Sequence, residues 1–529
     1  MKTTSIMGAN MEAVRAKIDT TRLKFVLQGL VVGLLTGAVI STFRFAIERV
    51  LVFMQAIYRH PTPIKLGLVL VGMIALSLIV AALLKSEPNI SGSGIPQIEG
   101  QLAGEMDFHW WSILWKKFVA GILSIGPGLF LGREGPSIQL GGAVGQGVAE
   151  GLKKHGADRR ILIASGSAAG LAAAFNAPIA GTLFVLEEVY HNFSPLVWIT
   201  ALASALGADF VSLNVFGEVP VLHLVYTRSM PVNLYWHLIV LGIVLGLLGY
   251  LYQRVLLAMP GWYAKTHIPR YFQGIVPFIL VIPMGLFMPS ILGGGNGMIV
   301  GFGLVVPSLT VLLVIFAARF IYSMISYGSG LPGGIFLPIL SLGAVIGAIY
   351  AVFMVQIGLL PKVYVMNLII FSMAGYFAGI GKAPFTAILL ITEMVGNLTH
   401  LMPMAVLALV AYIVVDVLGG APIYESLLRR MTVPKQIESI HRMDRLELPV
   451  FAGSKLEGLQ VRDFSWPKQT LLIGLNRGEN QIIPHGDTVI RAGDTLVLLT
   501  DASQRAKIRA KIQHLAAHMT KSEGVHHAH

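Results

Sequence analysis

Arg133 and Glu134 stand side by side in LFLGREGPSIQLGG (129–142), framed by glycines and a proline and set between apolar segments. Ionised side chains at bilayer depth are costly, and their default meaning is a functional site lining a polar cavity. A second acidic pair, Glu187 and Glu188, closes the apolar run LFVLEEVY (183–190), with His191 and Asn192 directly after it. Carboxylates so placed can hold and pass protons; in a purely structural role they would mark a helix end at a membrane surface. Ser93 in GSGIPQ (92–97) and Tyr424 in GGAPIYESLL (419–428) add hydroxyl donors without adding charge. The chain has no cysteine, which excludes disulfides, thiolate metal sites and cysteine catalysis. Its histidines are too scattered to form a metal set or a nucleophile–base pair, so neither an enzyme nor a cofactor is expected.

These groups share a context. GSGIPQ, GREGPS (132–137), GGIFLP (333–338) and GGAPIYESLL each interrupt an apolar run just where another helix is due to begin. At a helix start the first N–H groups lack intrahelical partners and carry about half a positive charge. Glycine lets such a backbone approach a ligand closely, so the helix start becomes an anion site. Four converging starts would make a cradle of N–H dipoles that holds an anion without gripping it as a lysine would. A carboxylate facing the same dipoles competes with the anion, which links protonation to anion occupancy.

The elements that must position these residues are membrane helices. Of the 529 residues, 55% are hydrophobic and 12% charged, where a soluble chain carries about 25% charged residues. The apolar residues fall in blocks, at 25–40, 66–84, 111–123, 196–213, 235–258, 273–292, 302–321, 339–357 and 401–418. Several approach the roughly 20 residues that span a bilayer, and the expected class is an all-α polytopic membrane protein. The basic lead (Lys2, Arg15, Lys17, Arg22, Lys24) runs into an apolar segment with no evident cleavage site. Together with KKHGADRR (153–160) and RRMTVPK (429–435) it places both termini in the cytoplasm of a multi-pass cell-membrane protein. The net charge of +12 is scattered over loops, which suits anionic lipid headgroups and gives no argument for nucleic acid.

The membrane part repeats itself. SIGPGLFLGREGPSIQLGGAVG (124–145) lies without a gap over SYGSGLPGGIFLPILSLGAVIG (326–347), matching Gly126, Gly128, Leu129, Gly132, Pro136, Leu140, Gly141 and Gly145 with identical residues. NAPIAGTLFVLEEV (176–189) follows over KAPFTAILLITEMV (382–395), which sets Glu187 against Glu393. Repeats are expected over about 25–215 and 230–418; inverted-repeat transporters place their site at the repeat interface, on broken helix ends. Near residue 435 the composition shifts. LPVFAG, TLLIGLNRG, QIIPHGD, TVIRAGD and TLVLLTD read as strands and SQRAKIRAKIQHLAA as a helix, a small α+β cytoplasmic domain. The expected division is a segment 1–24, a membrane domain 25–435, a soluble domain 436–516 and a flexible tail 517–529 carrying His526, His527 and His529.

GSGIP, GREGP, GGIFLP and the tyrosine of GGAPIY, in this order and spacing, resemble the signature of the CLC family of chloride channels and chloride/proton exchangers, over residues 25 to 432. The resemblance implies an inverted-repeat fold of broken helices and a homodimer with one pathway per subunit. It implies that Ser93 and Tyr424 supply hydroxyls to the anion while Ile335 and Phe336 supply N–H groups. Gly94, Ile95, Arg133, Gly135 and Gly334 then line the path with backbone. Glu134 becomes a protonatable gate, Glu188 an intracellular proton relay and Glu187 an organiser of access to it. Glu99 and Lys117 match positions that lie close together, which suggests a buried ion pair. The implied activity is exchange of chloride for protons; a passive voltage- or pH-gated chloride channel or a fluoride/proton exchanger of the same fold stand as alternatives. A potassium pathway would need a filter of TVGYG type, and none is present. The tail domain resembles the RCK-C (TrkA-C) domain through IPHGDTVIRAGDTL (483–496), which implies regulation by a small ligand such as cyclic di-AMP, with Arg477 and His485 as candidate contacts.

Overall fold

The computed structural model describes residues 20–218, 220–222, 229–431, 443–478, 480–501 and 504–517. The basic lead up to residue 19, the 435/436 boundary and the histidines of the tail lie outside the described residues.

The helices of the first half are α1 (Thr20–Arg59), α2 (Pro63–Ser86), α3 (Ile95–Ala103), α4 (Trp110–Ile125), α5 (Glu134–Gly151), α6 (Gly156–Phe175), α7 (Pro178–Phe184) and α8 (Pro195–Phe216). Those of the second are α9 (Trp236–Ala264), α10 (Ile275–Phe287), α11 (Asn296–Leu304), α12 (Leu309–Gly328), α13 (Phe336–Gln356), α14 (Val365–Gly381), α15 (Pro384–Val395), α16 (Leu401–Val417) and α17 (Ile423–Met431). Proline opens α2, α7, α8 and α15, where its missing N–H would be unpaired in any case. Eight helices among the described residues are long and apolar enough to cross a membrane. Of these, the segments Phe336–Gln356 and Lys362–Gly381 are 83% buried while the others reach at most 50%. The second-half helices α13 and α14 are therefore interior, and the rest present apolar side chains outward.

The repeat is visible as pairs of equivalent interactions. α1 packs along α8 in the first half, and α9 along α16 in the second. A Cβ on Gly141 or Gly145 of α5 would meet backbone of α6 at 2.1 Å, and one on Gly343 or Gly347 of α13 would meet backbone of α14 at 2.7 Å. Both halves thus use two glycines, four residues apart, to bring helix backbones together, the small-residue packing usual in membranes. The halves are tied to each other as well. Gly132 and Gly334 form an antiparallel bridge, N–H to O at 2.7 Å one way and 2.6 Å the other. Gly92 donates to Gly330 O at 3.3 Å and Gly293 to Gly128 O at 2.9 Å. Equivalent residues that pair with each other reciprocally lie about a two-fold axis, so the halves are inverted copies.

Two compact units divide the chain: one takes Met1–Glu99, Phe108–Lys154 and Arg159–Met431, the other Gly100–Asp107, His155–Asp158 and Thr432–His529. In the second unit β1 (Met443–Pro449), β2 (Thr470–Arg477), β3 (Asn480–Ile482) and β4 (Asp494–Asp501) form one antiparallel sheet in the order β1-β4-β2-β3. Its core joins Leu446, Leu448, Leu475, Leu496 and Leu498 to Ile508 and Ile512 of α18 (Arg505–Ala517). Three strand expectations shift. LPVFAG contributes only its first two residues to β1, QIIPHGD only its first two to β3, and TVIRAGD forms a turn. There Asp494 accepts from Arg491 N at 2.7 Å and Gly493 takes a positive φ of 84°, so Ile490 reaches the core without a strand.

Candidate functional site

Four elements meet at the bridge between the halves. The segment before α3 carries Ser93, the start of α5 carries Glu134, the start of α13 carries Ile335 and Phe336, and the first turn of α17 carries Tyr424. Each of these residues is at most 2% exposed. The starts of α5 and α13 have no side-chain cap, so their first N–H groups remain available to a ligand. Ser93 Oγ, Tyr424 Oη and both Glu134 carboxylate oxygens are buried without a hydrogen-bond partner. Buried polar atoms are nearly always paired; hydroxyls left unpaired beside bare N–H groups are donors of the kind that suits an anion.

Close approach is built into the backbone. Gly94 adopts φ +94°, and a Cβ on it would lie 2.6 Å from Gln139. A Cβ on Gly135 would lie 2.2 Å from Ser93 Oγ, which puts that hydroxyl directly against the start of α5. The Glu134 carboxylate faces the N–H groups of Glu134 and Leu337 without completing a hydrogen bond to either, and its Oε2 lies over Gly132. It therefore reaches toward helix starts of both halves. The Phe336 ring is packed among Phe175, Phe184 and Phe377, with centroids 5.5, 5.7 and 4.2 Å away, and Phe184 stands 6.2 Å from the Tyr424 ring. With its ring fixed in this way, Phe336 opens α13 directly after the uncapped Ile335. Ile95, Gly94, Gly135 and Gly334 lie on the same three segments.

The carbonyls next to the site are occupied from behind. Asn89 O accepts from Gln97 at 3.2 Å and Gln139 at 2.9 Å, and Ser91 O from Gln97 at 2.7 Å. The ammonium of Lys117 donates to Ile90 O at 2.8 Å and Gly92 O at 2.7 Å. The expected Lys117–Glu99 pair is replaced by these carbonyls; Glu99 lies instead 4.0 Å from His191 Nε2. The second half repeats the device with Arg319, which donates to Ile291 O at 2.7 Å and Gly294 O at 2.6 Å and lies 4.5 Å over the Phe130 ring. Neither Arg319, Gln139 nor the Tyr327 hydroxyl, 3.3 Å from the position of a Cβ on Gly92, was singled out in the sequence. Aligning Lys117 with Arg319 through the repeat would have found the first of them.

The acidic pair divides by role. Glu187 accepts from Thr386 N at 2.8 Å, Thr386 Oγ1 at 2.7 Å and Phe385 N at 3.3 Å, capping the start of α15. Glu393 answers from the other half, accepting from Ala180 N at 2.7 Å and Ile179 N at 3.1 Å at the start of α7. Glu188 sits on the π-turn Val185–Val189, closed by Tyr190 N to Val185 O at 2.7 Å. Such turns inside helices are frequent at functional sites. Glu188 is 4% exposed and lies within electrostatic reach of Glu99, Glu187 and Glu425. The Tyr424 hydroxyl lies within electrostatic reach of both Glu188 and Glu134.

In the sheet unit, Arg477 is held by both oxygens of the buried Asp494, at 2.8 Å each, and donates to Val489 O. That pairing keeps the guanidinium above its usual pKa, and Arg477 acts as a brace for β4. His485 sits in a turn where its N–H donates to Thr488 Oγ1 at 2.9 Å.

Comparison with known proteins gives two family matches: voltage gated chloride channel over residues 72–416 and TrkA-C domain over 446–513. The H(+)/Cl(-) exchange transporter ClcA of Citrobacter koseri is 32% identical over 447 residues, covering 81% of this chain and 93% of that protein. The crystal structure of a slow cyanobacterial Cl-/H+ antiporter is similar with a TM-score of 0.73 at 32% identity, covering 78% of this chain and 98% of that one. A CLC-type fluoride/proton antiporter shares the fold, with a TM-score of 0.60 at 21% identity over 74% of this chain and 95% of that one.

Proposed function

The chain belongs to the voltage-gated chloride channel family, and from that premise we propose that it is a secondary active antiporter exchanging chloride for protons. The observation that carries this is the set of orphan groups at the bridge: Ser93 Oγ, Tyr424 Oη and both Glu134 oxygens, buried beside uncapped helix starts. In this reading chloride accepts from the two hydroxyls and from the N–H groups of Ile335 and Phe336. Ionised Glu134 takes an anion position itself; protonated, it swings away and the anion passes. Protons reach Glu134 from the opposite side through Glu188, which Glu187 holds in place by anchoring the π-turn. The relatives named as exchangers and the buried Glu188 favour exchange over passive conduction. Ser93 is the reason to favour chloride over fluoride.

The same reading makes 25–435 the transport domain, places both termini in the cytoplasm and pairs two subunits as a homodimer. It makes 436–516 a regulatory domain for a small ligand such as cyclic di-AMP. Calorimetric titration of the full chain with cyclic di-AMP tests the last point, and absence of heat at saturating concentrations would remove it. The gate is tested in liposomes. Glu134→Ala should conduct chloride without moving protons, and retention of coupled proton movement would overturn the assignment.

A further inference from the structure

Glu48, on α1, is bound to the residue beside the proposed gate. Its Oε1 accepts from Arg133 Nη1 at 2.6 Å and from Arg44 Nε at 3.2 Å. On the other side of the same guanidinium, Arg133 Nε lies 4.0 Å from Glu134 Oε1, beyond hydrogen-bond reach, and that Nε has no hydrogen-bond partner. One guanidinium therefore stands between two carboxylates and is committed to one of them. Arg44 is itself fixed, donating to Asn176 Oδ1 at 3.2 Å and stacking 3.9 Å over the Phe216 ring. Glu48 and Arg133 line an open cavity of about 300 Å³ with Gly293–Gly297 and Leu337. The Glu48 side chain is 41% exposed there, while Glu134 is fully buried.

We propose that Glu48 is a positioning residue for the gate, holding the Arg133 guanidinium off Glu134 so that no ion pair locks the gating carboxylate in the anion path. This rests on the reading of Glu134 as the gate. An unopposed cation within about 4–6 Å of a carboxylate favours its ionised form by one to three pH units, and a direct guanidinium–carboxylate hydrogen bond is about twice as strong as a neutral one. With Glu48 ionised, the charge of Arg133 is answered before it reaches Glu134. Without that charge, Arg133 is free to close the 4.0 Å gap. The other charged groups around Glu48 are few. Arg44 shares α1 with it, and Arg133 and Glu134 come from the start of α5. The cavity residues of the neighbouring elements bring no further titratable group. Arg319 is spent on the Ile291, Gly293 and Gly294 carbonyls, and on α8 Asp209 lies within electrostatic reach of Glu393.

The test is chloride flux from liposomes holding the full chain, recorded against pH kept equal on both sides. Glu48→Gln should move the pH of half-maximal flux down by about one unit. Glu48→Asp keeps the charge on a shorter arm and should move it the same way by less. In a Glu134→Ala background neither change should move the profile, because the carboxylate that Arg133 would capture is gone. An unchanged midpoint in Glu48→Gln that elutes as a folded species overturns the proposal; if that variant does not fold, an unchanged midpoint in Glu48→Asp does so. Should Glu134→Ala alone still titrate like the parent, it is the gate reading that fails, independently of Glu48.

Discussion

Gly135→Ala is the substitution whose effect on anion binding follows most directly from the geometry. Its Cβ would stand 2.2 Å from Ser93 Oγ and 2.7 Å from Ser93 O, where ordinary contact begins beyond about 3.4 Å, so the serine must shift by about an ångström. Overpacking of this kind costs about 1–3 kcal/mol. The displaced hydroxyl also loses its place on the anion, and a hydrogen bond to a charged group is worth about 1.5–3 kcal/mol. At about 1.4 kcal/mol per tenfold, the second effect alone weakens chloride binding roughly 10- to 150-fold. Gly151 is the control: it ends the same helix, and a Cβ on it meets nothing within 4 Å. Isothermal titration of the purified protein with chloride should show the loss for Gly135→Ala and parental affinity for Gly151→Ala. Parental affinity in a folded Gly135→Ala would refute the placement of Ser93 on the anion.

The other predictions concern the carboxylates and the sheet domain. Glu187→Gln and Glu393→Gln each remove a charge from a helix start and should each destabilise by about 1–2 kcal/mol, read as similar drops in apparent Tm; a loss for only one would break the symmetry of the caps. Glu188→Gln should depress proton movement far more than chloride binding, measured by paired proton-flux and titration experiments. Arg477→Ala leaves the buried Asp494 without its brace, and limited proteolysis of the full chain should show faster cleavage within 443–517.

Much of the site could be read from residue order because it consists of helix starts. Glycine, proline and an interrupted apolar run announce a helix start locally, and GREGP and GGIFLP announce two that the repeat sets opposite one another. That is also why the Gly132–Gly334 bridge joins equivalent residues. What escaped depends on partners distant in the chain. The π-turn at Val185–Val189 has no local signature, and the equivalent helix in the second half, Pro384–Val395, runs on as ordinary α-helix. The cations at Lys117 and Arg319 bind carbonyls, which have no sequence pattern, whereas the family resemblance points Lys117 to Glu99. Glu48 is one of several charges on a long first helix, and nothing near it in sequence points to Arg133, 85 residues away. In the sheet domain, TVIRAGD alternates like a strand, but the Asp494 side chain closes a turn on Arg491 N instead.

Coupling of the two fluxes through one site is tested most directly by driving each with the gradient of the other. With the purified chain in liposomes, a chloride gradient should drive protons uphill, and opposing proton gradients should in turn drive chloride. Chloride movement with no proton movement under any gradient would contradict the account and leave a passive channel of the same fold.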